Sequence, residues 1–338
     1  MKQYGVVLIG CGHIGSEHIA DIYYRDNIKI VAVVDTDLSK ALQFKEKYNA
    51  QYADTDYLKY LKNDDTDIVI IASPASTHLA ILKDCVKHKK HVLCEKPLTT
   101  NAEDGQEFYN LCKAAESKVL IGHILRYNQT FIKVKELIAA GAIGNLKLVR
   151  MVQNHNIINA ERYHSLMKEC SPVFDCGVHY YDLLQWISGS KITEVSGFST
   201  RVSNEFSDIE ADYGIVNLFT ENGVSGYYEA GWIRGIPSNN TKEFIGDSGS
   251  ISVTLNQFRS SHTEEGDLIE IYNNKDHSYR MINVPADYKP MYRQLTALIN
   301  LIEDKPSEAT SIEEAYSAFK VALAADEATG NRTLVKVK

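Results

Sequence analysis

The sequence predicts an α/β chain of two domains: a parallel sheet wound with helices, followed by a large, mainly antiparallel open sheet. Three observations carry this. Strand-like and helix-like segments alternate with short connections over residues 1–123, the pattern of βαβ units and a parallel sheet. After that point the strands change from continuous apolar runs to alternation, as expected of sheets with one face in water. And 338 residues exceed the ~250–300 at which single cores stop growing. The predicted boundary separates 1–123 from 124–338.

The first half reads as five strands with four helices between them. Gly5–Ile9 is a continuous apolar run rich in β-branched residues, suited to a strand buried on both faces, and a helix follows over Ser16–Arg25. Lys29–Asp35, Asp67–Ser73, His91–Pro97 and Lys118–His123 are the next strands. Between them, Ser39–Tyr48, Thr77–Lys89 and Asn101–Ser117 read as helices, the last with Asn101 as its cap. In the second half Gln129–Ala140 is a helix stopped by Gly141. Leu146–Asn154 alternates as a strand. Tyr213–Trp232 is a hairpin around Asn222-Gly223, a strong two-residue turn signal. Asp267–Val284 is a second hairpin around Asn273–Asp276. Helices over Met291–Glu303 and Ser311–Thr329 close the chain.

Composition excludes several classes. A 44% hydrophobic and 24% charged chain belongs with globular proteins. The net charge is −8, and the only basic cluster is Lys87, Lys89 and Lys90, so no nucleic-acid partner is expected. Apolar runs such as Ile68–Ala72 fall far short of the ~20 residues of a membrane helix. The opening MKQYGVVLIG lacks the basic and apolar regions of a signal peptide. Six cysteines form no CxxC pair and no zinc spacing, so no metal is expected. Together these predict a reduced, cytoplasmic protein.

Three motifs carry chemistry. Gly10-Cys11-Gly12-His13-Ile14-Gly15 is a GxGxxG between a predicted buried strand and a helix, with Asp35 ending the next strand. That context is the dinucleotide fingerprint of a Rossmann domain. The helix N-terminus attracts the pyrophosphate without a lysine. Asp35 accepts hydrogen bonds from ribose hydroxyls and repels a 2′-phosphate, so NAD is favoured over NADP. Glu95-Lys96-Pro97 ends the fourth strand, at the sheet edge where ligands bind in open α/β folds; read alone, Lys96 is equally a surface lysine. In Asp175-Cys176-Gly177-Val178-His179, the Asp and His are four apart, and Asp182 follows three later. On one helix face a carboxylate can orient an imidazole for general-base work. Alone, the same pattern is a capping Asp and a structural histidine.

The three motifs in this order resemble the Gfo/Idh/MocA oxidoreductases over essentially the whole chain, Gly246–Ile251 included. The resemblance implies a Rossmann domain and a second α/β domain whose sheet often forms a homodimer or homotetramer interface. It implies that Lys96 hydrogen-bonds a reacting hydroxyl, that His179 is the general acid/base, and that Asp175 positions His179 or the substrate. The reaction implied is hydride transfer between a nicotinamide and a secondary alcohol or ketone of a sugar, sugar derivative or inositol. Ser73, Pro74, His78 and Glu95 are then expected near the cofactor, and Arg126, His155, Arg162 and Tyr163 near a small sugar or polyol substrate. Trp232 could stack on a sugar ring. Ala75 stands where the family more often has Asn, so any contact there comes from backbone. Two other readings stay open: an NAD-dependent glycosidase of the same fold, and a non-enzymatic cofactor-sensing regulator.

Overall fold

The computed structural model describes residues 2–258, 266–285 and 289–338. The chain opens with β1 (Tyr4–Ile9), every residue buried, then α1 (His13–Ile22) and β2 (Ile28–Val34). Next come α2 (Leu38–Tyr48), the short β3 (Tyr52–Asp54), α3 (Leu58–Leu61) and β4 (Ile68–Ile71). A 3₁₀ turn at Ala75–Thr77 leads into α4 (His78–Lys87), β5 (His91–Cys94), α5 (Ala102–Ala114) and β6 (Val119–Ile121). Asn101 caps α5 by accepting from the Asp104 N–H at 3.0 Å. The six strands form one parallel sheet, in the order β3-β2-β1-β4-β5-β6. Order reverses between β1 and β4, which places the ends of β1, β4 and β5 at a topological switch point.

The second stretch begins with α6 (Gln129–Ala139), capped by Asn128, and β7 (Leu146–Asn156). Three helices follow: α7 (Ala160–Glu169), α8 (Pro172–Asp175) and α9 (Gly177–Ser188). Then come β8 (Ile192–Thr200), β9 (Tyr213–Thr220), β10 (Ser225–Ile233), β11 (Lys242–Gly246), β12 (Gly249–Thr254), β13 (Asp267–Asn273) and β14 (Tyr279–Val284). The chain ends with α10 (Met291–Ile302), α11 (Ile312–Asn331) and β15 (Val335–Lys336). The nine strands run β14-β13-β12-β11-β7-β10-β9-β8-β15, antiparallel except for the central pair β7 and β10.

Register divides this sheet into two faces. Val149, Met151, Tyr228, Lys242 and Phe244 align on one, buried, with α8 and α9 packed against the sheet. Leu148, Phe198, Phe219, Tyr272 and Met281 align on the other and are exposed.

Contacts group the chain into two units, Met1–Ile124 with Lys289–Tyr316, and Leu125–Tyr288 with Ser317–Lys338. The expectation of one boundary with everything after 124 in the second unit differs here. Residues 289–316 return to the first, because α10 is amphipathic and buries Met291, Leu295 and Leu298 against α1 and β5.

Candidate functional site

In the first unit the GxGxxG segment is the turn from β1 into α1. Gly10 has φ +102°, and a Cβ there would meet the Ala72 carbonyl oxygen at 2.5 Å. At Gly15 a Cβ would stand 2.0 Å from the Gly10 oxygen, so helix and turn touch backbone to backbone. A Cβ on Gly12 would meet nothing within 4 Å, leaving open space above the turn. No side chain caps α1, and no acid stands in its first turn. Its N-terminal amides therefore face that space as a site for an anion.

Asp35 lies at the end of β2, where one carboxylate oxygen accepts from the Cys11 N–H at 2.8 Å and the other from the Asp37 N–H at 2.9 Å. Each oxygen keeps a further lone pair for a hydroxyl donor. These features fit the adenosine ribose and pyrophosphate of a dinucleotide. The Cys11 side chain packs inward instead, its thiol pushed up to about 12, first by burial and then by the Asp35 charge. Only its backbone is placed to serve a ligand. His13 is exposed on the first turn, 3.3 Å from the Lys289 ammonium, and Ile14 is half-buried beside it.

Two expected cofactor contacts turn out to be braces. His78 is buried with Nδ1 at 2.9 Å from the Pro97 carbonyl oxygen and Nε2 at 3.0 Å from that of Ser73. Burial lowers its pKa, so the neutral ring donates one of these bonds; either way the side chain ties the turn after β4 to the turn after β5. Ser73 Oγ lies 2.7 Å from Thr77 Oγ1, and Pro74 is exposed as the start of the 3₁₀ turn. The carboxylate of Glu95 is turned inward: Oε1 lies 2.7 Å from His18 Nε2, with the residues 8% and 1% exposed. Burial raises the Glu95 pKa, but the His18 hydrogen bond and attraction, together with Lys96, turn the net direction down. Gly122 makes room for this carboxylate, since a Cβ there would stand 3.0 Å from it. The pair joins α1 to the strand end that carries Lys96, which is half-buried. Sequence reading passed over His18, an ordinary helix position without its distant partner.

In the second unit the Asp175–His179 segment is not one helix. Asp175 ends α8 and Gly177 starts α9, with Cys176 between them in right-handed helical geometry. Asp175 and His179 are both half-buried. Gly177 is required by packing: a Cβ would meet the Tyr181 hydroxyl at 2.7 Å, and that hydroxyl donates to the Val173 carbonyl at 2.8 Å.

Other candidates are placed differently from expectation. Asp182 does not share a site with His179; it accepts two hydrogen bonds from the Arg126 guanidinium, at 2.8 and 2.7 Å, both residues buried. Arg126 is thereby held as a buried anchor rather than offered whole to a substrate. Trp232 is 2% exposed, packed with Ile157, Met167 and Ile209, so its face is closed to a sugar ring. His155 and Tyr163 do come together, with Nδ1 2.8 Å from the phenol oxygen. Arg162, the neighbour of Tyr163 on α7, sets its guanidinium over that ring at 5.6 Å. Among the described residues no group of acids, histidines and cysteines could hold a metal ion, and no helix is long and apolar enough to cross a membrane.

Residues 4–123 match the NAD-binding Rossmann fold of the Gfo/Idh/MocA oxidoreductase family, and residues 131–252 match that family's C-terminal domain. An uncharacterised oxidoreductase of Bacillus subtilis is 27% identical over 229 residues, 66% of this chain and 65% of that protein. Inositol 2-dehydrogenase 4 of Saccharopolyspora erythraea is 29% identical over 225 residues, again 66% and 65%. The chain thus spans about two thirds of the length of these relatives. The crystal structure of an oxidoreductase domain protein from Kribbella flavida superposes with a TM-score of 0.85 at 20% identity over 100% of both chains, a likeness of fold. With a Rossmann unit, a C-terminal unit of the matching kind and the motifs of both in place, the chain belongs to the Gfo/Idh/MocA family of oxidoreductases.

Proposed function

We propose that this protein is an NAD-dependent dehydrogenase that oxidises a secondary alcohol of a polyol, with inositols the first class to try. The observation that carries the reading is the turn at Gly10–Gly15 with Asp35 beside it: an uncapped helix N-terminus and an anionic hydroxyl acceptor. Asp35 and the exposed Asp37 place negative charge where a 2′-phosphate would go, which supports NAD over NADP. Inositol enters through the names of relatives such as the Saccharopolyspora enzyme.

In this reading the bound nicotinamide supplies the hydride acceptor. Lys96 donates a hydrogen bond to the reacting hydroxyl. His179, neutral, takes the hydroxyl proton, and Asp175 positions the imidazole or the substrate. Oxidation therefore slows in acid as the imidazole fills its lone pair. His155, Arg162 and Tyr163 are proposed to contact the polyol, while Arg126 is held by Asp182. The exposed apolar row Leu148, Phe198, Phe219, Tyr272 and Met281 supports pairing with a second copy through the open sheet face. A cytoplasmic location fits the reduced cysteines. The test is NADH formation from NAD with a panel of inositols and sugars, alongside fluorescence titration with NADH and NADPH. Tighter NADPH binding would reverse the cofactor assignment; absence of binding by either would overturn the reading.

A further inference from the structure

Lys242 is the one lysine among the described residues that is fully buried, at 0% exposure. It lies on the covered face of the nine-stranded sheet, its Nζ donating to the Val152 carbonyl at 3.1 Å and to Asn240 Oδ1. The nitrogen sits 4.7 Å from the centre of the Tyr180 ring. Tyr180 follows His179 directly in α9. Its other face stacks on Tyr228 at 4.6 Å, and its hydroxyl points at Asn240 Oδ1 from 3.5 Å. Tyr228 in turn donates to Gln153 at 3.2 Å. The first turn of α9 thus rests on a layer whose polar centre is Lys242.

No carboxylate pairs with this amine among the described residues. The titratable groups facing it are Cys176, just before α9, and Tyr180 from α9. Burial holds its pKa well below the ordinary lysine range, and its hydrogen bonds run to the Val152 carbonyl and Asn240 rather than to a counter-charge. A methionine would fill this volume without that penalty. A costly buried amine kept under a functional segment is the pattern of stability exchanged for geometry.

We propose that Lys242 is a positioning residue: it fixes Asn240 and the Tyr180 ring, and through them the turn that carries Asp175 and His179. The role in catalysis rests on the function proposed above; the positioning itself does not. The sign of the stability effect separates this from a merely structural lysine. Because the folded pKa is depressed, the unfolded chain binds more protons between the two pKa values, and the penalty grows as pH falls from about 10.5 toward neutrality.

The test is Lys242→Met, with Lys242→Ala as a second variant should the first fail to fold. At pH 7 the methionine variant should melt about 5 °C higher than wild type, and the gain should vanish near pH 10.5. Amide hydrogen exchange over residues 172–184 should nonetheless speed up about tenfold. If wild type oxidises myo-inositol with NAD, kcat should fall about tenfold with KM for NAD unchanged. A lower melting point at pH 7, or unchanged exchange over 172–184, would overturn the proposal. If wild type shows no such oxidation, the proposed function fails while melting and exchange still decide the role of Lys242.

Discussion

The two units hold their candidate chemistry by different means. In the first, the turn at Gly10–Gly15 is shaped by backbone meeting backbone, and the Lys96 strand end is tied down by one buried hydrogen bond between His18 and Glu95. In the second, the Asp175–His179 segment lies on a layer of Tyr180, Tyr181, Tyr228, Asn240 and Lys242, held by aromatic faces and a set of hydrogen bonds. The difference teaches where tolerance should lie. A backbone-built turn fails at a single added methyl, whereas a side-chain layer can be retuned one residue at a time.

The largest expected effect tests whether both units supply chemistry at all. Lys96→Met and His179→Ala should each lower turnover by ~10²–10⁴-fold with unchanged melting, since general acid/base groups contribute on that scale. Steady-state kinetics beside a thermal melt would show it, and near-normal turnover in either would remove that residue from the mechanism.

Next is the buried His18–Glu95 pair. Replacing Glu95 alone by leucine should destabilise the first unit by about 3–5 kcal/mol, because it strands His18 in the core, while replacing both residues with apolar ones should recover most of this. Since the folded pKa of Glu95 lies below its unfolded value, its contribution is complete above the usual carboxylate range. It is lost as pH falls through the folded pKa. Urea melts of Glu95→Gln and wild type should therefore converge in strong acid; a constant gap would contradict a lowered Glu95 pKa.

Smaller effects fall on glycines. Gly15→Ala forces a methyl to 2.0 Å from the Gly10 oxygen and should cost ~1–3 kcal/mol and weaken NADH binding, read by fluorescence. Gly177→Ala meets the buried, hydrogen-bonded ring of Tyr181 instead, so it should cost ~1–3 kcal/mol as well but leave NADH affinity alone. Equal losses of NADH affinity from the two would erase the distinction between the turn and the side-chain layer.

The same distinction explains what could be read from the sequence. The parallel sheet is legible because β1 and β4 are continuous apolar runs and β2 is interrupted only by Lys29, and its turn because glycines at fixed spacing encode backbone shape. Three-residue β3 is too short for any period to show. β8, with Gly197 at its middle and half-buried residues on both faces, has no clean alternation. The helix across Asp175–Asp182 was read as continuous, yet it breaks at Cys176, and Asp182 turns to Arg126, fifty-six residues away. Lys242 and the His18–Glu95 pair were hidden for a related reason. A lysine or a helix histidine looks solvated until the residue that buries it is brought from elsewhere in the chain.

The most direct measurement follows the hydride itself. Myo-inositol carrying deuterium on its ring carbons is incubated with NAD and the protein, and the dinucleotide is analysed by mass spectrometry. Deuterium should appear in the NADH formed by wild type and be almost completely lost with His179→Ala. Reduced cofactor without deuterium, or undiminished transfer in the variant, would contradict it.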